Sequence, residues 1–220
     1  MKDILHPEKI FIQKINADWL RQNNVKLDVL RLDMIHPVIS GNKWFKLKYY
    51  LQEAKHKHYN TVATFGGAFS NHIIATACAC NKAGLKSIGI IRGEGSATLS
   101  STLLLARQYG MEIQFVSRSV YRDKEMIKTN FKNVYWIPEG GYGNLGIQGA
   151  REILSFCNEL QKYTHIICAA GTGTMMAGII QCAHINQKVI GVSVMKGNYS
   201  LAEQVKALIG IEHQHKLYNI

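Results

Sequence analysis

Residues 61–94 read TVATFGGAFSNHIIATACACNKAGLKSIGIIRGE. A β-rich apolar run at 61–65 stops at Gly66-Gly67, an alanine-rich stretch of helical period follows over about 70–83, and a second β-rich run fills 86–91. A strand, a crossover helix and a strand in that order make a parallel pair, because a tight turn joins only antiparallel neighbours. The same alternation extends in both directions. Upstream, 27–35 reads as a strand and 44–57 as an amphipathic helix with Leu47 and Leu51 four apart. Downstream come helix 99–109, strand 112–116, a helix near 121–130 and strand 134–137. A helix over 147–163, strand 165–170, helix 176–184, strand 188–194 and helix 200–209 complete the pattern. The predicted class is α/β: open, mostly parallel sheets with helices on both faces. PEGGYGNLG at 138–146 is the best candidate for a boundary between two sheets, and Pro37 with Gly41 marks a candidate first crossing. Periodicity alone does not separate one sheet from two.

Bulk properties narrow the function. The 220 residues are 47% apolar and 19% charged, enough for a core and too apolar for disorder. Lys and Arg number 26 against 15 Asp and Glu, a net charge of +11. That excess suits an anionic ligand, and equally nucleic acid or a membrane surface. The lysines are scattered through amphipathic stretches, and no helix-turn-helix, zinc-finger or RNA-binding signature accompanies them. Five cysteines at 78, 80, 157, 168 and 182, with no CxxC pair, read as buried reduced thiols. Glu212, His213 and His215 read as a solvated terminus, not a metal site, so no metal is expected. MKDILHPEKIFIQKI lacks the features of a signal peptide, and no apolar run reaches membrane-spanning length; the expected location is the cytoplasm, without membrane or nucleic-acid partners.

Three segments carry the candidate chemistry, each at a strand-to-helix turn, where open α/β sheets bind their ligands. In SGNKWFK (40–46), Gly41 permits close backbone approach, and Lys43 and Lys46 share one helix face. A lysine there serves as a carbonyl-binding amine if burial or a neighbouring cation lowers its pKa; the alternative is two surface lysines. In TFGGAFSNH (64–72), free N–H groups and the positive dipole end of a helix make an anion site, to which Ser70, Asn71 and His72 add a hydroxyl, an amide and an imidazole. Ser70 or Asn71 is alternatively a plain N-cap. In CAAGTGTM (168–175), Gly171, Thr172, Gly173 and Thr174 offer the donors a phosphate monoester needs, or form a tight packed turn. It is neither a Walker A loop nor a GxGxxG turn.

Taken together, Leu32-Asp33, His36-Pro37, SGNKWFKLKY (40–49), TFGGAFSNHIIATA (64–77), GIIRGE (89–94), PEGGYGNLG (138–146) and AAGTGTMMAG (169–178) resemble the family of 1-aminocyclopropane-1-carboxylate deaminase and D-cysteine desulfhydrase, pyridoxal-phosphate enzymes of the tryptophan-synthase-β type. The resemblance runs from about residue 25 to 195. It implies pyridoxal 5'-phosphate as cofactor, Lys43 as the lysine that carries it, and Lys46 as a second lysine near its phosphate. It implies Asn71 beside the cofactor's 3'-oxygen, Ser70, Asn71 and His72 toward the substrate carboxylate, and Ser70 as a nucleophile or proton carrier. The phosphate loop falls on Gly171, Thr172, Gly173 and Thr174, with Met175 where the pattern usually has a hydroxyl residue. A small domain at 46–143 is expected to be inserted in a larger one made of 1–45 and 144–220. Family members continue beyond the position matched by Ile220, so the large domain is expected to be incomplete. The implied activity is release of a 2-oxo acid and ammonia from a small amino acid, by a chain expected to form a homodimer. Two alternatives stand beside it: a catalytically impaired remnant that still binds the cofactor or a similar anion, and a basic nucleic-acid-binding α/β domain.

Overall fold

The structure, a computed structural model, describes residues 5–95, 98–213, 216 and 218–220. It opens with a ribbon: β1 (Ile12–Ile15), helix α1 (Asp18–Gln22) and β2 (Leu27–Leu30), with β1 and β2 antiparallel and Ile12 opposite Leu30. The strand expected over 27–35 therefore ends at Leu30, and Leu32–Ile35 form a 3-10 turn. Local polar bonds compete with the extended form here. The Arg31 guanidinium forks onto Asp33 (2.8 and 2.6 Å), and the His36 Nδ1 accepts the N–H groups of Val38 and Ile39, both at 3.0 Å.

Next come α2 (Lys43–His56), β3 (Thr61–Gly66), α3 (Asn71–Ala83), β4 (Lys86–Arg92), α4 (Ser101–Gln108), β5 (Met111–Val116), α5 (Lys124–Thr129) and β6 (Tyr135–Ile137). The four strands pair in the order β5-β4-β3-β6, all parallel. Their alternating side chains supply both faces. Ala63 and Phe65 pack with Ile88, Ile90, Tyr121 and Ile127 on one side. On the other, Val62 and Ile137 meet Leu47, Leu51 and Ala54 of α2 and Cys78 of α3, while Ile91 meets Leu103 of α4. Burying an aliphatic side chain of this size contributes about 2 kcal/mol, so this sheet and its helices form a well-anchored unit.

After the 138–146 stretch come α6 (Asn144–Ala150), β7 (His165–Ala170), α7 (Thr174–Cys182), β8 (Lys188–Ser193), α8 (Leu201–Ile209) and the short β9 (Tyr218–Asn219). Strands β7, β8 and β9 form a second parallel sheet. Helices α7 and α8 cover one of its faces through Cys168, Ala170, Val189, Val205 and Ile209, whereas Ile167 and Val192 are exposed. The open, mostly parallel α/β class holds in both sheets. A single helix over 147–163 does not form: α6 ends at Ala150, and 3-10 turns at Ile153–Phe156 and Leu160–Lys162 follow. The Ser155 hydroxyl donates to the Glu152 carbonyl at 2.7 Å, the acceptor its own N–H also uses. The Glu152 carboxylate is drawn to Lys48 and Tyr49 of α2, so continuation of the helix loses to contacts across the fold.

Two glycines let α6 and α7 sit where they do. A Cβ on Gly149 would lie 1.6 Å from the Phe45 carbonyl oxygen, so the backbones of α6 and α2 touch directly. Gly173 holds φ +75°, and a Cβ there would strike Val205 at 2.7 Å. The five thiols are unpaired. Among the described residues no cluster of His, Cys, Asp or Glu has the makings of a metal site, and no helix is long and apolar enough to cross a membrane. Of the C-terminal trio, His215 lies outside the described residues.

Candidate active site

Helix α2 begins at Lys43, just after Gly41 turns the chain with φ +62°. The Lys43 amine donates to the Asn42 side-chain oxygen at 2.8 Å, and the Asn42 amide nitrogen reaches the Met175 sulfur at 3.0 Å. Asn42 stands at the N-cap position yet makes no side-chain capping bond. One turn on, Lys46 is 5% exposed, and its stem lies against Gly141. Neither lysine has an acidic partner among the described residues. Burial, and then the charge of Lys43, pull the Lys46 pKa down to about 7; burial also lowers that of Lys43. Neither is thus the plain surface lysine that composition alone would favour: Lys46 is buried, and Lys43 is half-buried at the cleft.

Strand β3 delivers the second segment. Ser70 caps α3, its hydroxyl accepting the His72 N–H at 3.2 Å. Asn71 is exposed and shares with Gly41, Asn42 and Lys43 a cleft of about 530 Å³, whose opposite wall includes Ser101, Thr102 and Leu105. His72 points the other way. Its imidazole is buried, with Nε2 2.8 Å from the Thr64 hydroxyl, and that hydroxyl donates to the Ile137 carbonyl at 2.8 Å. The one hydroxyl proton is spent on Ile137, so Nε2 carries the ring proton and Nδ1 is a bare acceptor. That Nδ1 has no hydrogen-bond partner among the described residues. Burial, with Lys46 and Lys43 nearby, pushes the His72 pKa well below its ordinary value and keeps the ring neutral.

The third segment links β7 to α7. The hydroxyls of Thr172 and Thr174 lie 3.2 Å apart, and Thr174 is fully buried. A Cβ on Gly140 would meet the Thr172 methyl at 2.8 Å, which packs the PEGG stretch directly against this turn. Gly171, Thr172, Gly173 and Thr174 do not line the cleft around Lys43; the Asn42 amide, bonded to Lys43 and to Met175 just past the turn, connects the two. Lys43 and Asn71 are therefore brought to one cleft, Lys46 and His72 lie buried behind it, and the turn adjoins through Met175. Nothing in the sequence marks Asn42 or Thr64 for these contacts, and Met175 stands out there only as a departure from the usual hydroxyl residue. An asparagine before a helix reads as a cap, and only the missing capping bond shows its other use.

The chain matches the family described as pyridoxal-phosphate dependent enzyme over residues 18–212. It is 36% identical over 200 residues to a Thermotoga maritima protein that bears 1-aminocyclopropane-1-carboxylate deaminase as a provisional name, covering 84% of this chain and 64% of that one. It is 34% identical over 179 residues to the bifunctional D-cysteine desulfhydrase/1-aminocyclopropane-1-carboxylate deaminase of Arabidopsis thaliana, covering 71% of this chain and 45% of the relative. A crystal structure described as an ACC deaminase homologue superposes with a TM-score of 0.77 at 26% identity, over 91% of this chain and 65% of that one. The chain thus spans less than two thirds of the length of each. The alternatives of a nucleic-acid-binding domain and of a non-catalytic remnant draw no support from these matches.

Proposed function

This chain belongs to the family of pyridoxal-phosphate dependent enzymes, and from that premise we propose that it acts on a small amino acid as a deaminase or desulfhydrase, releasing a 2-oxo acid and ammonia. The observation that carries the reading is the pair of amines one helical turn apart, Lys43 half-buried at the cleft and Lys46 buried behind it, without an acidic partner among the described residues. Burying an uncompensated ammonium costs several kcal/mol, which deprotonation or a bound anion relieves. A phosphorylated aldehyde fits both demands: an amine for the aldehyde and a positive surrounding for the phosphate. In this reading Lys43 carries the cofactor. Lys46 and the turn at Gly171, Thr172, Gly173 and Thr174 hold the phosphate, with the N-terminus of α7 behind them. Asn71 supports the ring from the cleft wall.

Pyridoxal phosphate, when bound, supplies the aldehyde and a ring that accepts the electron pair released at Cα. The chain's own residues do the rest. Burial leaves a larger share of Lys43 unprotonated at neutral pH, which suits the amine to take a proton from Cα of a D-cysteine-like substrate. Asn71 and Ser70 hold the substrate carboxylate at the start of α3. A cyclopropane substrate has no Cα proton, and Ser70 is then the proton carrier for ring opening. His72 serves from behind as a neutral group, kept so by burial and by the nearby charges of Lys46 and Lys43. The reading includes a small domain at 46–143 inserted in a larger one of 1–45 and 144–220, a cytoplasmic location and a homodimer.

The test supplies purified protein with cofactor and then, in turn, D-cysteine and 1-aminocyclopropane-1-carboxylate. Ammonia with sulfide and a three-carbon 2-oxo acid from the first, or ammonia with a four-carbon 2-oxo acid from the second, supports the proposal and assigns the substrate. Cofactor uptake with neither product from either compound overturns it.

A further inference from the structure

Asparagine is among the residues most favoured at a helix N-cap, where its side-chain oxygen takes a free backbone N–H. Asn42 occupies that position on a 14-residue helix and makes no such bond. Its amide is used sideways instead: the oxygen accepts from the Lys43 amine at 2.8 Å, and the nitrogen points at the Met175 sulfur at 3.0 Å. An amide has one end of each kind, and the sulfur, an acceptor, favours the same orientation that presents the oxygen to Lys43. Were the amide reversed, its NH₂ would meet an ammonium, donor against donor. Met175 is 133 residues away in sequence, on the first turn of α7 beyond the glycine–threonine turn. A single side chain thus bridges the start of α2 and the start of α7.

We propose that Asn42 is a positioning residue, held by Met175 so that its oxygen keeps the Lys43 amine directed at the cleft beside the 171–174 turn. The proposal rests on the reading of Lys43 as the cofactor-bearing amine. It also gives Met175 a purpose that a hydroxyl residue would fill differently, since a thioether accepts without competing as a donor. The groups bearing on Lys43 are few: Asn42 and Lys46 on its own segment and the neutral His72 on α3, with no carboxylate bonded to it among the described residues.

Trace acetylation of the cofactor-free protein across pH, with peptide mapping that resolves Lys43 from Lys46, reads the titration midpoint of the Lys43 amine directly. Asn42→Asp keeps an acceptor and adds a negative charge in contact, and moves the midpoint up by about 1 to 2 units. Asn42→Ala removes the acceptor that favours the charged amine, and moves it down. Met175→Leu frees the amide to turn, and moves it down in the same sense. A midpoint unchanged in Asn42→Asp and Asn42→Ala, with unaltered circular dichroism, overturns the proposal. A shift in both with none in Met175→Leu overturns the part assigned to the sulfur. Should Asn42→Ala fail to fold, the near-isosteric Asn42→Asp decides alone. Failure of the cofactor reading is separately visible, as wild-type Lys43 that stays open to acetylation when pyridoxal phosphate is added.

Discussion

Replacing Lys46 with methionine keeps the length and most of the apolar stem while removing the buried charge. The side chain is 5% exposed, and burial with the charge of Lys43 pulls its pKa down to about 7, against 10.5 for a free lysine. A depressed amine favours the neutral form in the folded protein, so folding pays a penalty wherever the unfolded chain holds a proton that the folded one resists. At about 1.4 kcal/mol per unit, the gap corresponds to about 5 kcal/mol, fully present below pH 7. Between 7 and 10.5 only the unfolded chain binds the proton, so wild-type stability rises with pH by about 1.4 kcal/mol per unit, a slope the variant lacks. Urea denaturation of both cofactor-free proteins, followed by circular dichroism, measures the difference. Lys46→Met is expected to be the more stable by roughly 5 kcal/mol at about pH 6, and by roughly 3 kcal/mol less than that at about pH 9. Any constant packing effect of the methionine cancels in the comparison between the two pH values. A difference that stays flat across that range would refute the argument that Lys46 is an uncompensated buried cation.

Other outcomes follow from single contacts. Gly149→Ala forces a methyl into the Phe45 carbonyl and is expected to cost about 3 kcal/mol or more in the same denaturation assay, since every atom it meets is Phe45 backbone. Thr64→Val leaves the His72 Nε2 proton and the Ile137 carbonyl without their shared partner; a loss of about 2 kcal/mol is expected, and a neutral effect would show that a repacked group takes over. Ser70→Ala removes the cap of α3, for about 1 kcal/mol of stability, together with a fall in deamination of 1-aminocyclopropane-1-carboxylate larger than any fall with D-cysteine.

The parallel order of β3 and β4 was legible in residues 61–94, because an apolar strand, two glycines, a helix and another strand admit few other arrangements. The ends of elements were less so. The largely apolar run at 27–35 looks like one strand until Arg31 turns its guanidinium onto Asp33, only two residues on, a local bond that the apolar pattern does not announce. Residues 147–163 keep a helical period, yet Glu152 is pulled to Lys48 and Tyr49, about a hundred positions earlier. In the same way, the lysine spacing announced a shared face without revealing whether that face was wet or buried. Burial of Lys46 depends on Gly141 and on α6 lying backbone to backbone on α2. His72, read as facing the substrate, turns into the core because Thr64 offers it a hydroxyl there. Histidine at such a position is ambiguous in sequence, since both its polar edge and its apolar ring face find partners.

Reduction of the cofactor-loaded protein with borohydride, followed by peptide mapping, fixes any carbonyl-derived group to the amine that held it. The added mass is expected on Lys43, with loss of the visible-edge absorbance in Lys43→Ala. An adduct on another lysine, or a Lys43→Ala protein that keeps the band, would contradict it.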